Sequence, residues 1–360
     1  KLNRMYDVCI IGGGINGVTA ALQCSEAGYS TILFEQKRLA NGASSKTSKL
    51  AHGGLRYLAN LELSLVKESL QERNILLEKY PTLVKPQPFI FPIYKGESSL
   101  KMWAGLKMYD LLSSKSPLPK SGKISIEQTK LSLPWLTTNN LKSCFMYYDA
   151  VMNDKEIVHT IANEARQKGV EIYSNEPVIR LDRSDNDVTV ITTKSNISAR
   201  IVINATGAWS NKLAQKQLVN PTKGVHLVTN KLLSKAATIL INPEDKRVFF
   251  TIPYNNNTLI GTTDTPYTGD PDNIKITRKD VNYILDAVNK FSVEKIDKDD
   301  IINSWVGLRP LAVSNTMDVG KISRDFMIDY DRRMLSIVGG KFTTHRSMIE
   351  TLMGEIKKYV

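Results

Sequence analysis

The stretch YDVCIIGGGINGVTAALQCSEAGYSTILFEQ, residues 6–36, changes character twice along its length. An apolar run, YDVCII, reads as a short buried strand and stops at Gly12, Gly14 and Gly17, spaced G-x-G-x-x-G. The next residues read as a helix whose Val18, Ala21, Leu22 and Ser25 share one face, with Gly28 as its stop. STILFEQ is then a second buried strand, ending in Glu35. Strand, glycine turn, helix, strand and acid follow in the order of a βαβ dinucleotide site. The glycines permit the tight turn, the close approach of a pyrophosphate and the packing of helix on sheet, and the helix amino terminus attracts negative charge. Glu35 stands 18 residues beyond Gly17, near the offset of a ribose-binding acid. An acid there favours a free ribose hydroxyl over a 2′-phosphate, which leaves FAD or NAD.

Outward from this unit, residues 60–80 have helical apolar spacing that Pro81 ends, and NDKEIVHTIANEARQKG (153–169) reads as a helix that contains His159. The following run gives a strand, a hairpin around Ser184–Asp187 and a buried strand ending at NATG, which returns Ala205 and Gly207 to the ligand-binding carboxyl edge of the sheet. KGVHLV, VFFTIPY and NTLIGTTDTPYTG look like an antiparallel sheet inserted into the dinucleotide fold, and the last strand, double glycine and helix return to it. The expected fold is therefore α/β: a Rossmann-like dinucleotide domain with an inserted, mainly antiparallel substrate domain. The expected divisions are 1–80, 150–220 and 325–360 for the first, 81–149 and 221–324 for the second. Within residues 95–130, apolar Met102, Trp103, Leu106, Met108 and Tyr109 alternate with lysines. That pattern fits either a surface helix with its apolar stripe turned inward or a segment resting on an anionic membrane.

At 360 residues, with 42% hydrophobic and 23% charged residues, the chain is long enough for a large folded core. Its net charge of +12 favours anionic substrates or acidic lipid. Nucleic acid is disfavoured, since no zinc-finger spacing, RNP-like motif or Arg-rich arm occurs. Three cysteines, Cys9, Cys24 and Cys144, without a C-x-x-C pair suit a reducing compartment. No apolar run reaches the ~20 residues that span a bilayer, so the expected location is cytoplasmic, including the cytoplasmic face of a membrane. The four scattered histidines offer no metal-ligand spacing, and no G-x-S-x-G elbow suggests a hydrolase.

With these pieces in order, the chain resembles the FAD-dependent, quinone-linked glycerol-3-phosphate dehydrogenases of the wider D-amino-acid-oxidase-like flavoproteins. The resemblance runs from about Tyr6 to Glu355 and is carried by SSKTSKLAHGGLRYL (44–58), NATGAW (204–209), KGVHLV (223–228), EDKRVFFTIPY (244–254), LIGTTDTPYTGDP (259–271), GLRPL (307–311) and GGKFTTHR (339–346). The distal GGKFTT anchor turns the choice toward FAD. The resemblance implies a flavin held by Gly12, Gly14, Asn16, Gly17, Glu35, Val178, Ala205 and Gly207, with Ser45, Thr47 and Ser48 beside the ring and Gly340, Lys341 and Thr343 at its other edge.

It further implies oxidation of sn-glycerol 3-phosphate to dihydroxyacetone phosphate, with electrons passing to a quinone or to O2. Arg56, Tyr57, Arg309 and Lys341 would bind the substrate. Arg309 and Lys341 would also act at the reacting centre, with His226 as the first and His52 as the second choice of proton acceptor. Peripheral membrane contact and a homodimer are further implied partners; another hydroxy acid or an amine as substrate, and a non-catalytic flavin-binding protein, are the alternative readings. Two positions depart from the family pattern: YYDAVMND (147–154) lacks an arginine usual there, and His345 stands where tyrosine is common. The chain also stops after the helix that follows GGKFTTHR, so the family's helical carboxy-terminal domain is expected to be absent.

Overall fold

The computed structural model describes residues 5–113, 115–313 and 326–360. The opening stretch forms β1 (Met5–Ile11), α1 (Ile15–Glu26) and β2 (Thr31–Glu35). β1 and β2 are the centre of a parallel ladder that continues through Glu171–Ser174 on one side and Asn196–Asn204 and Met334–Gly339 on the other. Phe326–Asp331 and the Val178–Arg183/Val188–Thr192 pair add antiparallel strands. Such a ladder is covered on both faces, which is why β1 runs continuously apolar from Val8 to Ile11 instead of alternating. Val8 and Ile10 enter one core with α1 and the helices Asp154–Gln167 and His345–Ile356, while Cys9 and Ile11 enter the other.

The α1 stripe holds Val18, Ala21 and Leu22 against the sheet, but Cys24 continues it, while Ser25 is half-buried and turns its hydroxyl to the Leu22 carbonyl. Gly28, at φ +87°, ends the helix as expected: Gly28 N donates to Ser25 O and Tyr29 N to Cys24 O, a Schellman closure. All three cysteines are buried and unpaired, Cys144 inside the Leu141–Met152 strand.

Among the described residues the second sheet has ten strands and is antiparallel except where Ala237–Ile241 runs beside Val84–Tyr94. Its longest ladders join Val219–Thr229 to Ile301–Ala312 and Val84–Tyr94 to Leu141–Met152. Three sheet memberships cut across the divisions read from the sequence. Leu50–Ala51 pairs with Leu141–Met152 in this second sheet, and the strands Leu141–Met152 and Val219–Thr229 run straight through 149/150 and 220/221. The 324/325 division lies outside the described residues. Among the described residues, no helix is long and apolar enough to cross a membrane.

Candidate active site

Register brings the chemistry to one edge. Ile11, the last residue of β1, pairs with Phe34 of β2 and with Asn204 of Asn196–Asn204, so Gly12, Glu35 and Ala205 stand side by side at one sheet edge. Gly12 N donates to Phe34 O, and Ala205 N to Ile11 O. Gly12 has φ +110°, and a Cβ on it would meet Ala205 O at 2.5 Å. A Cβ on Gly17 would lie 1.8 Å from Gly12 O, so this glycine serves the packing of α1 on the turn. The Glu35 carboxylate accepts from Gly13 N at 2.7 Å and Lys37 N at 2.8 Å, which holds it facing the turn. The α1 amino terminus has no side-chain cap at Gly14; Ser44 Oγ accepts from Ile15 N at 2.9 Å.

From this turn a cavity of about 1030 Å³ runs to the second sheet. Of the expected flavin residues, Gly12, Gly14, Asn16, Glu35, Thr47 and Ser48 line it. Val178, Ala205, Gly207, Gly340, Lys341 and Thr343 do so as well. Two expected residues are not on its wall. Gly17 lies beneath the turn, and Ser45 follows Ser44 in a short 3₁₀ turn that presents Ser44 to the cavity and leaves the Ser45 carbonyl accepting from Lys49 Nζ. An elongated cleft that begins at a helix end whose N-cap is Gly14, between a glycine pair too crowded for any Cβ and a tethered acid, fits a dinucleotide with a free ribose.

The expected substrate residues all line the same cavity: His52, Arg56, Tyr57, His226, Arg309 and Lys341. Arg309 lies across the Val219–Thr229 strand, where a Cβ on Gly224 would stand 2.6 Å from its guanidinium. Its Nη1 donates to Thr263 O and Asp264 Oδ1, both at 3.1 Å, and Nη2 to Thr262 Oγ1 at 2.9 Å. Lys341 Nζ sits 4.3 Å from the centre of the Tyr57 ring and donates to Ser69 Oγ at 2.8 Å. Arg56, exposed, places its guanidinium 4.9 Å from the same ring and donates to the Tyr57 hydroxyl at 3.2 Å.

His226 is buried, stacked at 5.5 Å on Trp305, with Nε2 and Ser48 Oγ 2.8 Å apart and, among the described residues, no hydrogen-bond partner on Nδ1. Burial, and then the nearby Arg309 and Lys49 cations, hold its pKa well below the usual histidine value, so the ring is neutral. Thr47 Oγ1 donates to the buried Asp154 at 2.7 Å, tying the SSKTSK loop to the start of the Asp154–Gln167 helix.

Sequence reading missed Asp149, a cavity residue within the segment that lacks the family arginine. It is buried and accepts from Arg73 Nη1 at 2.7 Å, from the Tyr109 hydroxyl at 2.9 Å and from Gly53 N at 3.3 Å. Burial pushes its carboxyl up, and Arg73 opposes the shift. It also missed Asp264, although LIGTTDTP drew attention as a motif: an acid next to two threonines, facing a cationic strand, was the available signal. His345 faces a separate cavity of about 410 Å³, bonded through Nδ1 to Thr19 Oγ1 at 2.7 Å, so its difference from tyrosine does not touch the main site. Among the described residues no group of His, Cys, Asp or Glu converges as a metal set.

Comparison with known proteins agrees with this geometry. The family model of FAD-dependent oxidoreductases matches residues 7–343. A glycerol-3-phosphate dehydrogenase of Pseudomonas tolaasii is 34% identical, over 99% of this chain and 72% of its own length. A D-erythritol 1-phosphate dehydrogenase of Brucella abortus is 32% identical, over 98% of this chain and 73% of its own. The glycerol-3-phosphate dehydrogenase of Bacillus halodurans, solved with FAD, superposes with a TM-score of 0.79 at 27% identity. That match covers 99% of this chain and 65% of the Bacillus chain, so the present chain spans just under two thirds of it. With the glycine turn, the tethered acid and the distal Gly339–Gly340–Lys341 segment gathered on one cleft, the chain belongs to the FAD-dependent oxidoreductase family.

Proposed function

We propose that this chain oxidises sn-glycerol 3-phosphate to dihydroxyacetone phosphate. The observation that carries the reading is the convergence of Arg56, Arg309 and Lys341 on the wall of the dinucleotide cavity. Bound FAD supplies the acceptor for the hydride of the substrate carbinol carbon. Arg56 and Lys341, both against the Tyr57 ring, hold the phosphate dianion by charge-assisted hydrogen bonds. Arg309, fixed by Thr262, Thr263 and Asp264 among its partners, stabilises the negative charge that develops on the carbinol oxygen as its proton leaves. Of the two histidines, His52 suits the proton acceptor better. His226 sits where burial and two cations oppose the imidazolium, which fits it to a neutral hydrogen-bonding role beside Ser48. His52 is half-buried on the cavity wall.

Steady-state dye reduction with sn-glycerol 3-phosphate, D-erythritol phosphate and unphosphorylated glycerol tests the assignment. Turnover of the glycerol phosphate at least ~100-fold more efficient than of glycerol is expected, from the loss of two charge-assisted contacts. Equal turnover of both would contradict it. Preference for the four-carbon phosphate would instead support a second reading, oxidation of an erythritol phosphate, for which the similarity to the Brucella enzyme speaks.

Electrons then pass to a membrane quinone. Supporting this is the Ser99–Leu112 helix, whose Leu106 and Tyr109 pack inward while Leu100, Trp103, Met108 and Leu111 face outward, Leu100 and Leu111 at 74% and 68% exposure. Exposed Lys101 lies within the stripe, and exposed Lys115, Lys120 and Lys123 follow it along the chain. Apolar side chains with lysines suit the anionic headgroup layer at the cytoplasmic face of a membrane. Cosedimentation with phosphatidylglycerol vesicles is expected to fall at least ~5-fold for a Trp103→Ser, Leu111→Ser double variant, since each buried apolar side chain adds over 1 kcal/mol. Unchanged binding would remove this helix from the membrane contact.

A further inference from the structure

The helix Leu63–Lys79 turns one face to the segment that carries Lys341. Glu68 Oε1 accepts from Ser347 Oγ at 2.6 Å, Ser69 Oγ from Lys341 Nζ at 2.8 Å, and the Glu72 carboxylate from Arg346 Nη2 and Nε at 2.6 and 3.1 Å. On the next residue, Arg73 reaches Asp149, which in turn accepts from Gly53 N. One helix thus grips both walls beside Tyr57: the Gly53–Gly54 loop through Arg73 and Asp149, and the Lys341 segment directly.

Within that face Ser69 is the residue that helix formation does not explain. It is fully buried in the helix interior, where alanine would be the better helix former. A buried hydroxyl needs a partner, and this one meets an ammonium. Lys341 leaves a turn in which Gly339 and Gly340 have φ +83° and +74°, and its four-carbon stem carries substantial rotamer freedom. The hydroxyl oxygen at 2.8 Å and the Tyr57 ring at 4.3 Å restrain that freedom and hold the charge at the cavity wall.

We propose that Ser69 is a positioning residue for Lys341: its hydroxyl oxygen fixes the ammonium at the point where it meets the substrate phosphate. The inference rests on the reading of the cavity as a glycerol-phosphate site, and the test separates the two. Affinity for inorganic phosphate is measured by calorimetry on the flavin-loaded protein, for the parent chain, Ser69→Ala, Ser69→Cys, Lys341→Met and the Ser69→Ala, Lys341→Met double variant. Ser69→Ala keeps the helix and removes the acceptor; Ser69→Cys keeps the volume with a weak one.

Both Ser69 variants are expected to weaken phosphate binding about 5- to 10-fold, the scale of one net hydrogen bond, and to raise KM more than they lower kcat. In the Lys341→Met background Ser69→Ala is expected to add less than ~2-fold, because contacting residues act non-additively. A helix-packing role alone would instead give additive effects. Additivity, or phosphate affinity unchanged in the Ser69 variants while Lys341→Met weakens it, overturns the positioning role and leaves the cavity reading standing. Phosphate affinity unchanged by Lys341→Met overturns both.

Discussion

Arg309→Ala is expected to lower kcat/KM for sn-glycerol 3-phosphate about 10³-fold while the purified protein keeps its flavin. The magnitude is that of removing a preorganised donor aimed at developing negative charge, ~10²–10³, together with some loss of phosphate attraction. Preorganisation is visible in the side chain's surroundings. Thr262 Oγ1, Thr263 O and Asp264 Oδ1 fix the guanidinium, and Gly224 leaves the space in which it lies flat. Arg309→Lys should recover little, because a single ammonium cannot meet three partners in one plane and still face the substrate. Steady-state kinetics beside the flavin-to-protein absorbance ratio check both halves. A rate within ~3-fold of the parent would remove Arg309 from the reacting centre.

Gly17→Ala is expected to yield protein without bound flavin and with sharply reduced stability. Its Cβ would stand 1.8 Å from Gly12 O, a contact between two backbones with no flexible side chain to yield. Either α1 must lift from the sheet or the turn must open, and both move the helix amino terminus that would meet the pyrophosphate. Gly28→Ala provides the contrast. Nothing lies within 4 Å of a Cβ there, so the cost is the left-handed φ of +87° alone, roughly 1–2 kcal/mol, and flavin should remain. Flavin content by absorbance and thermal midpoints of the two variants distinguish crowding from backbone strain.

What could be read in the sequence was local or periodic. The βαβ unit announced itself by an apolar run, glycine spacing and a helical stripe within residues 6–36, and the structure reproduces them with Cys24 in place of Ser25 on the stripe, down to the Gly28 closure. The cationic residues were legible as motif members and reach one cavity. Long-range side-chain pairing left no such trace. Ser69 and Lys341 stand 272 positions apart, and Arg73 and Asp149 lie on elements whose own patterns say only helix and strand. The two-residue strand Leu50–Ala51 is too short to carry a period, so its place in the second sheet could not be seen. Choosing Ser44 over Ser45 required the 3₁₀ turn that aims one of two adjacent serines inward. Likewise, KGVHLV marks His226 as a strand residue, and only the packed Trp305 ring and neighbouring cations reveal how far it is held from protonation.

The most direct measurement is the visible spectrum of the purified, flavin-loaded protein under anaerobic conditions, before and after sn-glycerol 3-phosphate is added. Loss of the oxidised flavin bands with about one equivalent of dihydroxyacetone phosphate formed per flavin is the predicted result, since one hydride leaves each substrate. A spectrum that stays oxidised with excess substrate, while dithionite bleaches the same sample, would contradict the account.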